Sequence, residues 1–378
     1  MMRDIPDVNA HVHTPYSFSA FADVAEALDR AAVEDVRVIG INDFYSMDGY
    51  GEWYDGCKAR GLYPLMGIEM IALSADDQRV GRRVNDPNNP GRTYLSGKGL
   101  DYPVTLAGKE AEWLERVREE SNRQVARMCA KLNDWLDKKQ AGFRLDYDEM
   151  VRTLTRGSLR ERHLAKALRL AAERFIGRQS NESASRLADF YEHICNRPMK
   201  SSVTDVAGVE NELRSYLLKA GGAAFVPEES AAFLPVETVC RIIRAAGGIP
   251  TYPFLADDAK GQFTDFEEDL MQAADMLRAR GILSVEFIPT RNTTAVLEQY
   301  AGYLEDEGFI VTFGSEHNTP AMEPLRLHTR DADHLSDKLR MMNWRGACRI
   351  AAHQAGFSTD EVERGEAVIR EAIHTNHE

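Results

Sequence analysis

The side chains best suited to chemistry stand near the start of this sequence, in DVNAHVHTPYSFS over residues 7–19. His11 and His13 are two apart, and on a strand that spacing puts both imidazoles on one face. Each offers a nitrogen lone pair without adding charge, which suits a divalent transition metal. An isolated His-x-His also occurs as two half-exposed residues filling a polar rim. Recurrence favours the metal, because other strand-like runs also end in polar or acidic groups. Asn42 and Asp43 close RVIGIND, Glu69 sits in LYPLMGIEMI, and Glu316, His317 and Asn318 follow FIVTFG.

An alternation of strands and helices positions these residues. A helix is predicted over 23–34, with Val24, Ala27, Leu28 and Ala31 on one face. Strands follow over 37–43 and 62–71, separated by a short helix or turn over 47–59. This close-spaced order implies parallel strands with crossover helices, whose C-terminal ends carry the chemistry. The rhythm returns later with a Pro-initiated helix over 235–246, a strand over 249–252 and a helix over 266–280. A strand over 283–288 contains Glu286, which faces either the barrel end or a basic residue on a flanking helix. A helix over 292–307 and a strand over 309–314 complete the series. Residues 76–108, rich in Gly and Pro and carrying Arg79, Arg82 and Arg83, read as a long loop, either a solvated insertion or a lid over an anionic substrate. A long amphipathic helix over 109–140 follows, then helices over 147–154 and 159–175 and a polar excursion over 177–202 around one more helix. A helix over 210–218 leads back to the alternating part. Two last helices, over 344–355 and 359–373, pack on the outside or cap one end.

With 378 residues the chain suffices for one elaborated domain or two, and its net charge of -14 argues against a general nucleic-acid or anionic-membrane binder. An anionic small molecule remains open, because a local group of arginines can receive it. There is no basic-then-apolar start and no apolar run long enough to cross a bilayer, so a cytoplasmic location is expected. The five cysteines are widely separated, with no C-x-x-C, which suits buried thiols in a reduced compartment. Any metal must rest on His, Asp and Glu.

Taken in order, the motifs resemble those of the PHP (polymerase and histidinol phosphatase) superfamily of metal-dependent phosphoesterases. HVHTPYS resembles its opening HxHTxxS, GINDF the segment normally ending Asp-His, and GIE the one with a metal-bridging glutamate. RERHLAKAL resembles the helix opening written RPH, AAGGIPTYP the segment ending Ala-His-Pro, and VTFGSEHN the terminal Gly-Ser-Asp-x-His. The resemblance implies an α/β fold, a distorted (β/α)7 TIM-like barrel with metal ions at the C-terminal face of its strands. Residues 1–75 and 203–325 would form the barrel, 76–202 a loop and helical insertion, and 326–378 a C-terminal helical extension packed on the barrel.

Carried over residue by residue, the resemblance places His11, His13, Glu69 and His163 at ligand positions, with Glu316 where an Asp is usual. The family's other histidines are replaced by Phe44, Tyr252 and Asn318, and its residue after the opening motif by Phe18 or Ser19. A full three-ion cluster is therefore not expected; one or two divalent ions (Zn, Mn or Fe) are. His317 is displaced by one residue and, on a regular strand, faces the wrong way. Tyr252 either fills the volume of a lost histidine or donates to a leaving oxygen.

The implied chemistry is hydrolysis of a small phosphorylated metabolite, a sugar phosphate or nucleotide, with no nucleic acid or membrane as partner. The metal would make water nucleophilic. Arg160 and Arg162, beside His163, would neutralise the phosphoryl oxygens. Arg82, Arg83, Lys260, Arg291 and His328 are further basic candidates. Asp43 would orient a ligand histidine, act as general base or cap the next helix. Two other readings stand beside this one: a metal-dependent hydrolase or lyase of unphosphorylated carbohydrate, and a degenerate, non-catalytic barrel that binds a metal or ligand.

Overall fold

Runs rich in Val, Ile, Phe and Met that end at polar residues form the strands, and the amphipathic runs between them form helices that cover the sheet. The computed structural model describes residues 5–177 and 181–374. Residues 1–4 of the expected barrel, 178–180 of the expected insertion and 375–378 of the expected extension lie outside them. Among the described residues eight strands make one sheet: β1 (Asp7–Val12), β2 (Val36–Phe44), β3 (Tyr63–Leu73), β4 (Arg92–Lys98), β5 (Leu234–Pro235), β6 (Ile249–Phe254), β7 (Ser284–Phe287) and β8 (Ile310–Phe313). The path runs β1-β2-β3-β4-β6-β7-β8, with β5 added to β3. β1 and β8 meet at their C-terminal ends, through a bridge between Val12 and Glu316 and amide bonds from His13 to the Glu316 carbonyl (2.8 Å) and from Glu316 to the His11 carbonyl (2.9 Å). The sheet is thus a near-closed, seven-stranded mixed barrel with one unsealed seam, a distorted barrel of the expected kind.

β4 corrects the reading of 76–108 as a loop. That stretch holds the end of a short helix, Ala75–Arg79, and then a barrel strand antiparallel to both β3 and β6. The strand is hard to see because its inward face is polar. Leu95 joins the outer apolar layer, while Ser96 and Lys98 turn into the lumen against Asn42 and Glu286.

The lumen is layered. Outside the sheet, helices Val24–Val33, Tyr50–Ala59, Val236–Ala245, Leu270–Ala279 and Thr294–Asp306 bury their apolar faces in one large cluster. At the end where the strands begin, Val8, Ala10, Val38, Leu65 and Ile310 pack against Trp344, Ala347, Cys348 and Ile350 of helix Asp337–Gln354. This helix closes that end of the barrel. Its polar side chains satisfy strand groups: Asn343 donates to the Val8 carbonyl (2.9 Å) and accepts from the Phe313 amide (2.8 Å). Gln354 accepts from the Met66 amide (2.8 Å). Gly346 permits the close approach, since a Cβ there would come within 1.9 Å of the Val311 carbonyl oxygen.

Helices Tyr147–Leu154, Glu161–Ile176, Asn181–Cys195 and Val206–Leu213 and a π-helical turn, Arg214–Leu218, gather around a second apolar cluster. The helix expected over 109–140 spans Gly108–Lys138. Its Leu114 and Val117 sit in the barrel's outer core, while Val125, Met128, Leu132 and Leu136 sit in the second cluster. One rigid element therefore ties the two cores together. All five cysteines are buried and free, and no described helix is long and apolar enough to cross a membrane.

Candidate metal centre

The strand-to-loop junction of β1 carries both histidines, and β3 brings Glu69 up from the neighbouring side of the barrel. His11 Nε2 lies 3.3 Å from His13 Nε2, and His13 Nε2 lies 3.3 Å from a Glu69 carboxylate oxygen. All three side chains are buried, and their donor atoms fall within 4.8 Å of one another. The bonds behind the rings set the tautomers. His11 Nδ1 meets the Glu286 carboxylate at 3.1 Å, which can only accept, so the proton is on Nδ1. His13 Nδ1 meets the Ser17 hydroxyl at 3.2 Å. That hydroxyl donates to Asp43 (2.6 Å), so His13 also carries its proton on Nδ1. Two Nε2 lone pairs and a carboxylate therefore point at one spot. Burial disfavours a charge on His13, but Glu69, with Asp43 and Glu316, raises its pKa above the ordinary imidazole value. That negative potential and this donor set fit a divalent cation.

Beneath His11 lies a buried polar network. Glu286 receives Lys98 Nζ at 2.8 Å and the Ser96 hydroxyl. The other Lys98 protons go to the Ala10 carbonyl (2.9 Å) and Asn42 Oδ1 (3.2 Å). With its oxygen turned to Lys98, Asn42 donates from Nδ2 to Ser96 (3.1 Å) and lies against the His11 ring. Burial opposes ionisation of Glu286, but Lys98 and His11 more than offset it and hold the carboxyl well below the usual carboxylate range. Sequence reasoning left Glu286 undecided and missed Ser96 and Lys98. The signal was the alternation in RTYLSGK, which puts Tyr94, Ser96 and Lys98 on one face. Gly314 completes the seat of His11: a Cβ there would stand 2.2 Å from the His11 Cβ.

Asp43 is buried, and its oxygens accept from the Thr14 amide (2.8 Å) and from the Thr14 and Ser17 hydroxyls. Burial raises its pKa, opposed by His13 and these donors. It pins the loop after β1 and reaches His13 through Ser17. Of the other ligand candidates, His163 opens helix Glu161–Ile176, where its Nδ1 accepts from the Arg160 amide (2.9 Å). Its ring stands edge-on to Phe18, and burial, with Lys166 adding to it, pushes its pKa down to about 3. The structure does not gather it into the triad.

Glu316 lies outside the triad too. It pairs with Arg291 (2.7 Å) and accepts from the Asn318 amide (2.8 Å). Burial opposes its ionisation, but Arg291, His11, His13 and Arg162 bring the carboxyl down to about 2. His317 turns away, bonded to Ser315 (2.6 Å) and the Glu323 carbonyl (2.8 Å) and stacked on Phe21.

The replaced histidine positions have other partners. Arg160 lies 4.0 Å over the Phe44 ring and bonds Ser121 (3.2 Å). The Tyr252 hydroxyl donates to Glu267 (2.8 Å), among Phe254 and Phe266 in the outer layer. Arg162 differs from Arg160. Half-buried beside Phe18, it has no hydrogen bond or ion pair among the described residues, and burial together with Arg214 lowers its pKa to about 10. Arg82 and Arg83 are held by Asp77 and Asp265, His328 bonds the Thr329 carbonyl, and Lys260 is exposed.

A family model described as the PHP domain matches residues 9–196. Among solved structures, a candidate metal-dependent phosphoesterase from Bifidobacterium adolescentis matches with a TM-score of 0.56 at 15% identity, over 89% of this chain and 95% of that one. An amidohydrolase from Chromobacterium violaceum, with bound sulfate and no metal, matches with a TM-score of 0.54 at 18% identity, over 88% of this chain and 93% of that one. No curated protein matches the chain. At these identities the solved structures show the fold alone. The domain match, the barrel and the converging donors together show that this chain has a PHP-superfamily phosphoesterase-like fold with a partial metal-ligand triad of His11, His13 and Glu69.

Proposed function

We propose that the protein is a divalent-metal-dependent hydrolase of phosphoesters in a small phosphorylated metabolite, with one ion held by His11, His13 and Glu69. The convergence of two imidazole lone pairs and a carboxylate within 4.8 Å carries the reading. An ion there supplies Lewis-acid polarisation and makes hydroxide available near neutral pH. Zinc, manganese and iron all suit this donor set. Arg162 binds the anionic group of the substrate, because among the described residues its guanidinium is half-buried beside Phe18 with no hydrogen bond or ion pair to satisfy it. Arg160, committed to Phe44 and Ser121, forms the wall beside it. Asp43 fixes the orientation of His13 through Ser17 instead of meeting substrate. Phe18 and Phe44 give the mouth an apolar lining that excludes water.

The test is metal content of the purified protein, followed by turnover of a panel of phosphomonoesters, cyclic phosphodiesters and unphosphorylated sugars with Mn²⁺, Zn²⁺ or Fe²⁺. Phosphoester turnover that His13→Ala abolishes is the expected result. Failure to take up any divalent ion overturns the proposal. Turnover of unphosphorylated sugars alone would replace it with the carbohydrate reading, and ion binding without turnover would leave a binding barrel.

A further inference from the structure

We propose that Glu286 and Lys98 are positioning residues that fix His11 as an Nε2 donor toward the centre; the inference rests on the metal reading only for its consequence, not for the geometry. A neutral imidazole has one N–H, and the partner of one nitrogen decides which nitrogen keeps the lone pair. Glu286 is fully buried and accepts from three groups: His11 Nδ1 at 3.1 Å, Lys98 Nζ at 2.8 Å and the Ser96 hydroxyl. Lys98 in turn spends its three protons on Glu286, on the carbonyl of Ala10, the residue before His11, and on Asn42 Oδ1. One ammonium thus holds the acceptor of the His11 proton, the backbone that carries His11 and the amide that lies against its ring. Each of these groups has its partner, so the network is rigid.

Stability alone does not call for such a network. A buried ion pair replaced by apolar side chains of similar volume is often neutral or stabilising. What an apolar pair would remove is the acceptor at Nδ1. Lys98 keeps that acceptor ionised and in place; Glu286 acts on the ring. The outer partner of a ligating histidine commonly changes metal affinity by about 10- to 100-fold.

Three proteins test this: wild type, Lys98→Met/Glu286→Met, and Lys98→Met/Glu286→Gln. The first double variant has an apolar pair and no acceptor. The second has no charge but keeps a carbonyl oxygen that accepts from His11 Nδ1, with its amide turned to Ser96. Two readouts are taken. ¹⁵N NMR of histidine-labelled, metal-free protein reads the His11 tautomer, the signal being assigned by its loss in His11→Asn. Co²⁺ titration, followed by its visible absorption, reads affinity.

In wild type the proton is expected on Nδ1. The Met/Met variant should move it to Nε2 and weaken Co²⁺ binding at least about tenfold, while the Met/Gln variant restores the tautomer and brings affinity back to within about threefold of wild type. A merely structural role would not be rescued by an uncharged acceptor. A wild-type proton on Nε2, an unchanged tautomer in Met/Met, or wild-type Co²⁺ affinity in Met/Met overturns the proposal. Expected tautomers in a wild-type protein that binds no Co²⁺ would support the positioning role while removing the metal centre.

Discussion

Arg162 offers the sharpest test of the site, because its charge is better explained by a ligand than by the fold. Burial, with the neighbouring Arg214, lowers its pKa from 12.5 to about 10, which corresponds to at most about 3 kcal/mol against the folded cation. Solvent at this half-buried group reduces that to about 1–2 kcal/mol. The sign follows from the depressed folded value: the penalty is fully present at every pH below about 10 and disappears only above the unfolded value of 12.5. Arg162→Met keeps the apolar stem over Phe18 and removes the charge. At neutral pH it should therefore stabilise the metal-free protein. With an unfolding entropy of about 0.8 kcal/mol per kelvin for a chain of this length, Tm should rise by about 1–3 °C.

The same substitution removes a charged hydrogen-bond donor worth about 1.5–3 kcal/mol to a bound anion, so inorganic phosphate should bind about 10- to 100-fold more weakly. Differential scanning calorimetry of metal-free protein, with and without phosphate, reads both effects at once. Wild type should gain stability from phosphate, and the variant should start higher but gain little. A variant that melts below wild type, or that phosphate protects equally, refutes the assignment.

Because Glu69 raises the His13 pKa, the ring's protonated form stabilises the metal-free fold fully below pH 6.5, and this contribution is lost as pH rises through the elevated folded value. Metal binding runs the other way, since the ion displaces that proton; Mn²⁺ or Co²⁺ affinity measured by titration calorimetry should climb by up to about tenfold per pH unit until the folded pKa is passed. Gly314→Ala puts a methyl against the His11 Cβ and should weaken Co²⁺ binding at least about tenfold, with secondary structure by circular dichroism intact. Tyr252→Phe removes a donor to buried Glu267 and should lower stability in urea by about 1–2 kcal/mol, yet leave Co²⁺ affinity unchanged; a loss of affinity would mean that Tyr252 serves the site after all.

The strand-helix alternation and the His11, His13 and Glu69 set were readable because they rest on short-range signals: period-two spacing, apolar runs and a donor type at each strand end. What failed to show in the sequence depended on facing. β4 looked like a loop because polar side chains usually point to water, whereas Ser96 and Lys98 point into the barrel. His163 carries the expected residue type at the expected motif position, yet a ring nitrogen is committed to the amide at its own helix start, and no spacing rule reports that commitment. Tyr252 occupies the position of a lost histidine in sequence but faces the outer layer, since a strand position does not reveal its face until its neighbours' register is known. Arg160 and Arg162, two residues apart in one helix opening, end in unlike environments, one stacked on Phe44 and the other unpaired.

Charge bookkeeping inside the barrel connects these facts. Four carboxyl groups surround the two histidines: Asp43, Glu69, Glu286 and Glu316. Lys98 satisfies Glu286 and Arg291 satisfies Glu316, so two of the four already have a cation supplied by the chain itself, and Asp43 takes its bonds from Thr14 and Ser17. Among the described residues, Glu69 faces the converging lone pairs with no Lys or Arg bound to it. A second or third divalent ion would have to displace an ammonium or guanidinium already bonded to these acids, and at Phe44 it would find no donor at all. On the proposed reading, one divalent ion set against Glu69 and Asp43 would leave the mouth positive through Arg162 beside it. A centre so arranged suits an anion. On the proposed metal reading, the substitutions that remove family histidines and the protein cations that neutralise the remaining acids belong to one electrostatic arrangement: a smaller metal centre, with Lys98, Arg291 and Arg162 supplying positive charge that a larger cluster would carry.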